Sequence, residues 1–338
     1  MLLGKRTWNF PNKPVIISTG TVGGPLEKEG KIPDAFDVLY DENWLEQNSF
    51  EQAQQVLLEE AIDQAIKKSS IQEEQVEFFL GGDLINQITP TTFAINSKDF
   101  GYMGLFNACA TSTEGLALAA HMVDSNAANF VLTGTSSHNA ATERQYRYPT
   151  EYGSQKPPTA QWTVTGAGCA LVAKQGTGPV ITSATIGKVV DMGMTDPFNM
   201  GGAMAPAAVD TIMTHLKERN VPPSYYDLII TGDLGKVGRE ASLELLNQKG
   251  IHISQDKFID CGLSIYKNDQ PVLAGGSGAA CSTVGIYGHF LQKIIKGKVN
   301  RILAVATGAL HSPLTVQQKG TIPCIAHAVS IESGSGLS

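Results

Sequence analysis

Short apolar runs and longer amphipathic stretches alternate along most of the chain. The runs are rich in β-branched and aliphatic residues, which is typical of strands buried on both faces. In the first part of the chain these runs are 14–21, 79–84 and 130–135. The alternation of strand and helix predicts an α/β architecture with mostly parallel sheets.

The stretch 51–67 has the clearest helical pattern in the first part of the chain. Its apolar positions fall on one helix face, namely Val56, Leu57, Ala61 and Ala65. Ser49 and Gln52 have the S-x-x-Q spacing of a capping box. We therefore expect a helix that begins just after Ser49 and packs its apolar face against a sheet.

The second part of the chain repeats the first in the same order. Each part has an apolar strand, a helix, a strand ending in Gly-Asp-Leu, a helix opened by Ala-Cys and a final apolar strand. The matched segments are 14–21 with 179–185, 51–67 with 207–219, 79–84 with 229–234, Ala108-Cys109 with Ala280-Cys281, and 130–135 with 302–308. A duplicated unit is therefore predicted, with halves 1–176 and 177–332, two equivalent helices at the centre and a flexible tail at 333–338.

Composition describes a well-buried globular protein. Of 338 residues, 42% are hydrophobic and 17% are charged, which excludes a disordered chain. The net charge is −7 and no block of basic residues occurs, so nucleic acid is not expected as a partner.

The cysteines are expected to be reduced intracellular thiols. Their number is odd, no CxxC pair occurs and no secretory signal precedes them; they are Cys109, Cys169, Cys261, Cys281 and Cys324. Cys324 and His327 have Cys-x-x-His spacing, but two ligands do not make a zinc site, and no metal is expected. No apolar run reaches the ~20 residues that span a bilayer, so another protein is expected to hold the chain at any membrane where it works.

Cys109 is the candidate reactive residue. It precedes small residues and then an Ala-rich apolar stretch, so it is predicted to lie at the start of a buried helix. Free backbone N–H groups at such a position lower a thiol pKa and favour a nucleophile. The alternative is a buried cysteine that packs as a small hydrophobe.

These features together resemble the thiolase superfamily, whose members form and break carbon–carbon bonds on acyl thioesters. The resemblance rests on the two similar halves, on Cys109, on the Gly-rich run Ala274–Cys281 and on the small-residue run Thr165–Val172. It implies duplicated βαβαβ halves in α-β-α-β-α layers, with a central buried helix pair.

A narrower resemblance, to the stage V sporulation protein AD family of endospore-forming bacteria, spans essentially the whole chain. The segments that carry it are Ser136–Ala140, Arg144–Gly153, Asp196–Phe198, Met204–Ala208 and Ile230–Leu234. It implies a thiolase-like protein that binds dipicolinic acid, alone or with calcium. It also implies a role with membrane proteins that move this molecule into and out of the spore, so the protein is expected at the spore inner membrane through its partners. A homodimer is expected by analogy.

The catalytic set of a condensing enzyme is predicted to be incomplete. The resemblance to ketoacyl synthases places Gly232 where they have a catalytic His and Gly276 where they have an Asn. Glycine can neither move a proton nor donate a side-chain hydrogen bond, and each lost group typically removes about 10²–10⁴-fold in rate. We therefore expect no catalysis, a vestigial nucleophile at Cys109 and no cofactor. A substitute base could come from three histidines near predicted strand ends, His138, His311 and His327, although a lone His is more often structural.

The pocket is predicted to bind an anion. A helix N-terminus suits a carboxylate, and Arg is the preferred residue for bidentate carboxylate recognition. The predicted ligand-binding residues are Cys109, Ala110, His138, Asn139, Arg144, Arg147 and Thr165. Alternatively, both arginines are solvated loop charges or dimer-interface residues, and Tyr146 and Tyr148 are packing residues. Lys156, in a Pro-rich turn, is expected to stay in water.

Two hypotheses about function follow. The first is a non-catalytic, thiolase-fold protein that binds dipicolinic acid within a spore membrane transport complex. The second is a diverged condensing enzyme or thioesterase that acts on acyl thioesters through Cys109 and one of the histidines.

Overall fold

A computed structural model describes residues 1–146 and 156–334 of the chain. The predicted ligand residue Arg147, Tyr148 and residues 335–338 of the predicted tail therefore lie outside the described residues. Within the described ranges, no helix combines the length and apolar character needed to cross a bilayer.

The strands of the described chain follow the predicted apolar runs. They are Leu2–Leu3 (β1), Thr7–Asn9 (β2), Val15–Gly23 (β3), Val38–Leu39 (β4), Phe78–Gly82 (β5), Gly101–Gly104 (β6), Phe130–Ser137 (β7), Trp162–Thr163 (β8), Gly166–Ala173 (β9), Val180–Thr185 (β10), Leu228–Thr231 (β11), Phe258–Asp260 (β12), Gly276–Ser277 (β13), Arg301–Ala309 (β14) and Cys324–Glu332 (β15).

The α-helices lie between these strands, although β1, β2 and β3 follow one another directly, as do β8, β9 and β10. They are Pro25–Lys28 (α1), Phe50–Lys68 (α2), Thr89–Asn96 (α3), Thr111–Asp124 (α4), Asn139–Tyr146 (α5), Met200–Arg219 (α6), Gly235–Gln248 (α7), Cys261–Ile265 (α8), Ala279–Thr283 (α9), Leu291–Ile295 (α10) and Pro313–Gln317 (α11). A π-helix, Val284–Phe290, connects α9 to α10.

The strand order confirms the duplication. The first half has the order β3-β9-β7-β5-β6 and the second half has β10-β15-β14-β11-β12. When the five strands of each of these orders are numbered along the chain, the order across the sheet is first, fifth, fourth, second, third in both halves. An antiparallel contact between Val15 and Val180 joins the two halves. The boundary predicted between residues 176 and 177 falls in the turn between β9 and β10 and stays a prediction.

The sheets are less parallel than expected. In each half the second, third and fourth strands pair in parallel, whereas the fifth strand is antiparallel to both of its neighbours.

Helix boundaries differ from the prediction where a capping residue was overlooked. Helix α2 begins after Ser49, whose hydroxyl accepts a hydrogen bond from the Gln52 amide at 3.2 Å, as expected. Helix α6 was predicted from residue 207 but begins at Met200, because the Asn199 side chain caps it by accepting from the Gly202 amide at 3.2 Å. The chain then continues through Pro206 inside the helix.

A central helical layer separates the two sheets. Helix α4 contacts β5, β7 and β9 on one side and β10, β14 and β15 on the other, and α9 packs beside it. The hydroxyl groups of Ser112 and Ser282 lie 2.6 Å apart across this helix pair. Helix α2 packs against β3 and β9, and α6 packs against β14 and β15, on the outer faces. The α-β-α-β-α layering and the central helix pair implied by the resemblance are therefore present.

Glu27 of α1 links the two halves through a buried carboxyl. It is only 1% exposed, and its Oε1 accepts hydrogen bonds from the Thr165 amide at 3.1 Å and from the Tyr266 hydroxyl. Burial raises the pKa of Glu27 from 4.5 to about 7, although these hydrogen bonds lower it.

We predict that Glu27→Gln stabilises the protein above neutral pH and not at acidic pH. The folded state holds the Glu27 proton more tightly than the unfolded state, so this group contributes stability below pH 4.5 that is lost as pH rises through about 7. A shift of this size corresponds to about 3 kcal/mol. The gap in unfolding free energy between variant and parent should therefore widen between pH 4.5 and 8 in urea titrations.

The exposed Glu29→Gln substitution, two residues away, is the matched control and should give no such widening. Buried carboxyls elsewhere are the same in all three proteins and cancel in the difference. A gap that stays constant across this pH range would contradict the role assigned to Glu27.

Candidate functional site

A cavity of about 710 Å³ lies over the start of helix α4 and is lined by both halves of the chain. Cys109, Asp233 and Ser277 form its base. The rest of its lining is mainly apolar, with Phe198, Met200, Met204, Leu310 and Val316, and it also includes Glu143, Tyr146 and His311. Among the described residues that line it, the formally charged side chains are the carboxylates Glu143 and Asp233.

The turn that presents Cys109 has an unusual backbone. A 3₁₀ turn, Ala108–Ala110, precedes α4, and Ala108 adopts a left-handed φ of 51°, which L-residues rarely adopt. Gly308 of β14 passes directly against this turn, and a Cβ at that position would lie 2.6 Å from the carbonyl oxygen of Asn107. The close approach of β14 holds the turn in place and directs Cys109 to the base of the cavity.

Asp233 is the hydrogen-bonding centre of the cavity base. It follows β11 and is 1% exposed. Its Oδ2 accepts from the Ser277 hydroxyl at 3.0 Å and from the Gly278 amide at 3.2 Å, and its Oδ1 accepts from the Thr307 hydroxyl at 2.9 Å. The Cys109 side chain lies beside this carboxylate at the base of the cavity.

This environment reverses the expected effect on the thiol. Burial and the neighbouring negative charge of Asp233 raise the pKa of Cys109 well above its usual value. The expectation that the helix start lowers the pKa of this thiol is therefore wrong. A protonated thiol is a weak nucleophile, so this arrangement suits a hydrogen-bond donor better than a reactive thiolate.

Gly232 and Gly276, the two glycines expected at the positions of catalytic groups, do not line the cavity. A Cβ at Gly232 would lie 3.1 Å from the Cβ of Ser282, and a Cβ at Gly276 would lie 3.0 Å from the ring of Tyr266. The residues that follow them, Asp233 and Ser277, line the cavity instead. Sequence reasoning missed this pair, although the repeated Gly-Asp-Leu motif contained Asp233.

The three candidate histidines occupy different places. His138 is buried, its Nε2 lies 2.8 Å from the Asn43 carbonyl oxygen and its Nδ1 accepts from the Ala140 amide. His327 Nδ1 accepts from the Gly187 amide, and its Nε2 contacts the Asn107 side chain at 3.1 Å. Burial lowers the pKa of both imidazoles.

His311, by contrast, lines the cavity, with its ring centroid 5.9 Å from that of Tyr146. Of the three candidate bases, His311 is therefore the one that faces the ligand space.

The other described residues of the predicted ligand set do not line the cavity. Ala110, His138, Asn139, Arg144 and Thr165 lie outside its lining. The Arg144 guanidinium pairs with the Glu51 carboxylate, while the Thr165 hydroxyl accepts from the Asn139 amide at 3.1 Å. Cys109 is the described member of the predicted set that faces the cavity, and binding by the remaining residues stays a prediction.

Lys156 differs from the expectation that it stays in water. Its side chain is only 13% exposed, and its ammonium lies 3.0 Å from Oε1 of Glu143. The ammonium also lies 4.9 Å from the ring centroid of Trp162, at cation–π distance. Lys156 therefore sits directly behind a carboxylate that lines the cavity.

The described residues contain no cluster of three or more His, Cys, Asp or Glu side chains placed to hold a metal. Cys324 and His327 have separate partners: the Cys324 thiol donates to the Ile322 carbonyl oxygen, and His327 bonds as described above.

Comparisons with known proteins agree on one family and one fold. The family model of stage V sporulation protein AD (SpoVAD) matches residues 4–332. Stage V sporulation protein AD of Bacillus subtilis strain 168 is 47% identical over 337 residues, covering 100% of this chain and 99% of the relative.

Two solved structures share the fold at low sequence identity. The 3-oxoacyl-[acyl-carrier-protein] synthase III from Aquifex aeolicus VF5 has a TM-score of 0.59 at 14% identity, covering 94% of this chain and 99% of that chain. Cerulenin-bound OleA of Xanthomonas campestris has a TM-score of 0.57 at 11% identity, covering 98% of this chain and 98% of that chain. The thiolase-like fold expected from the sequence is thereby confirmed.

We predict that Asp233→Asn makes Cys109 more reactive. The substitution keeps the shape of the side chain but removes the negative charge beside the thiol, so the pH midpoint of Cys109 alkylation should fall by about one unit or more. The rate of iodoacetamide modification, followed at the Cys109 peptide by mass spectrometry across pH, measures this shift.

Asp260→Asn is the matched control, because Asp260 is also buried but bonds to Thr231 and to backbone amides at the start of α7. It should leave the Cys109 profile in place. An unchanged midpoint in Asp233→Asn would show that Asp233 does not suppress the thiolate.

Proposed function

The chain belongs to the stage V sporulation protein AD family, and from this premise we propose that it binds dipicolinic acid in the Cys109 cavity without catalysing a reaction. It acts, in this proposal, in the movement of dipicolinic acid into spores and in its release. It does so as a peripheral component of a membrane transport complex whose other members hold it at the spore inner membrane.

The position of the Asp233 carboxylate beside the buried Cys109 thiol carries the non-catalytic part of the proposal. A condensing enzyme needs a thiolate at this position, whereas burial and the adjacent carboxylate keep this thiol protonated. The same base also carries the Ser277 hydroxyl, which donates to Asp233, so the base is polar without carrying a reactive group.

The shape and chemistry of the cavity support a small planar ligand. Aromatic rings of Tyr146 and Phe198 line it, which suits the flat face of a pyridine ring. Apolar walls with a few placed polar groups are the usual character of a small-molecule site. Dipicolinate is a dianion, so its carboxylates require cationic or N–H donors at the polar side of this cavity.

The second hypothesis, a diverged enzyme acting on acyl thioesters, is favoured by a single observation. His311 lines the same cavity as Cys109 and could serve as a base. The two hypotheses differ in whether Cys109 becomes acylated and in whether dipicolinate binds.

We predict that the protein binds dipicolinate and that Cys109→Ala retains binding, because the thiol serves as one donor among several. Isothermal titration calorimetry, run with calcium and with a calcium chelator, measures the affinity. Isophthalate keeps the two carboxylates but lacks the ring nitrogen, so it serves as the matched ligand control. Incubation with acetyl- and malonyl-thioesters should leave the mass of the Cys109 peptide unchanged.

A stable acyl adduct on Cys109 with turnover, together with no heat from dipicolinate, would overturn this proposal and favour the enzyme. In that case His311→Ala should abolish turnover.

We further propose a homodimer formed along strand β6. This strand pairs with β5 on one side, while its other edge has no strand partner among the described residues. Large apolar side chains are exposed along this part of the surface: Phe93 of α3 is 61% exposed, Met103 of β6 is 43% exposed and Phe106 is 56% exposed. An open edge strand flanked by exposed apolar residues is a template for pairing with a second copy.

We predict that Met103→Arg converts the dimer to a monomer, because a charge would be buried at the centre of the interface. Sedimentation equilibrium or light scattering after size exclusion measures the mass. Met192→Arg, at a 68% exposed methionine elsewhere, is the matched control and should leave the mass unchanged. A parent protein that is monomeric at micromolar concentration would refute the dimer.

A further inference from the structure

The pair of Glu143 and Lys156 is the place where the cavity can supply a positive charge. Both side chains are largely buried, with 14% and 13% exposure, and the Lys156 ammonium lies 3.0 Å from Oε1 of Glu143. A desolvated ammonium needs an anionic partner, since leaving it unpaired is costly. Glu143 meets this need from a position in the cavity lining.

The surroundings of Lys156 tie it to the base of the cavity. Its ammonium lies over the ring of Trp162, which belongs to β8. Strand β8 pairs with β13, where Trp162 is opposite Gly276 and Thr163 is opposite Ser277. Thr163 and Ser277 both line the cavity. The strand pair β8–β13, which carries Trp162 beneath Lys156, therefore also carries residues that line the cavity with Cys109.

The charge of the described cavity lining creates a requirement. Its formally charged members, Glu143 and Asp233, are both acidic, and Asp233 is already saturated with donors from the protein. The Lys156 ammonium neutralises Glu143, so Asp233 is the lining carboxylate that would repel a dianionic ligand. A ligand carboxylate that took the place of Glu143 would gain the Lys156 cation.

We propose that Lys156 is the carboxylate-binding group of the cavity and that Glu143 holds its ammonium until a ligand carboxylate takes the place of the Glu143 carboxylate. This inference rests on the proposed function, in that it assumes a carboxylate ligand in the cavity. The exchange trades one charge-assisted hydrogen bond for another and involves no covalent step. Glu143 then acts as a competitor that sets the threshold for binding, and Lys156 selects anions over neutral molecules.

Substitution of the two partners should change the affinity for dipicolinate in opposite directions. Lys156→Met removes the cation and should weaken dipicolinate binding by about tenfold or more, the range of a hydrogen bond to a charged group. Glu143→Gln removes the competitor and one negative charge from the cavity, and should tighten binding severalfold. A pair with a merely structural role would weaken binding in both variants, because either substitution would disturb the same wall.

Calorimetric titration of the full-length protein with dipicolinate, in the presence of a calcium chelator, measures these changes. The gain from Glu143→Gln should vanish when Lys156→Met is also present, since the freed ammonium is its source. Lys156→Arg keeps the charge and should stay within a few-fold of the parent. Picolinate, which has a single carboxylate, should lose less affinity than dipicolinate in Lys156→Met.

The matched control is a second Lys–Glu pair away from the cavity. Lys98 lies 2.9 Å from Glu73 and its side chain is 11% exposed, so Lys98→Met and Glu73→Gln disturb a similar pair. Both should leave dipicolinate affinity unchanged. Thermal denaturation checks that each variant is folded, and if Lys156→Met is not folded, the gain in Glu143→Gln remains the test.

The outcomes distinguish the proposed function from the proposed role of the Glu143–Lys156 pair. No binding of dipicolinate by the parent protein would remove the proposed function itself. Binding by the parent with unchanged or weakened affinity in Glu143→Gln would overturn the role of this pair and leave the proposed function standing. A loss of affinity in Glu143→Gln that occurs only when calcium is present would assign Glu143 to a metal chelate of the ligand instead, and would also overturn it.

Discussion

The carboxylate of Asp233 is the point on which the cavity depends. It accepts hydrogen bonds from Ser277 of β13, from the Gly278 amide at the start of α9 and from Thr307 of β14, and it lies beside the thiol of Cys109. A buried carboxylate without such donors is too costly to keep, so each donor must stay in position. The sheet of the second half, the central helix pair and the Cys109 turn are thereby fixed relative to one another around a single side chain.

The duplicated unit contains the same acid in its other half, in a different use. Asp83 follows β5 as Asp233 follows β11, and it too is fully buried. Its donors are local, however: the Ile85 amide at 2.8 Å, and the amide and hydroxyl of Thr91 in α3. The first copy of the Gly-Asp-Leu motif therefore orders its own loop and helix, whereas the second copy connects three elements across the cavity. Duplication supplied one buried acid to each half, and only the second is positioned to act on the thiol.

The sequence pattern was sufficient for the strands, the duplication and the central helices, because buried apolar runs and their order are local properties of the chain. It was insufficient where one backbone torsion decides which of two neighbouring residues faces the cavity. Gly276 and Ser277 are adjacent, and Gly278 with φ of 103° directs the chain into α9, so Ser277 and not Gly276 meets Asp233. The burial of Lys156 could not be predicted from the sequence either, because it depends on Trp162 and Glu143, which the fold brings beside it. The early start of α6 could have been found, because Asn199 is an ordinary capping residue.

The retention of a cysteine at position 109 does not require that it react. Its side chain packs with Leu84 and Ala279, and with the ring of Tyr146, in a small apolar cluster at the cavity base. At the same time its thiol lies beside the buried carboxylate of Asp233, where burial and the negative charge favour the protonated form. Alanine would lose contacts within that cluster, and serine would replace a soft apolar side chain by a strongly polar one. A protonated thiol meets both demands, so packing and the neighbouring carboxylate together account for a cysteine at position 109.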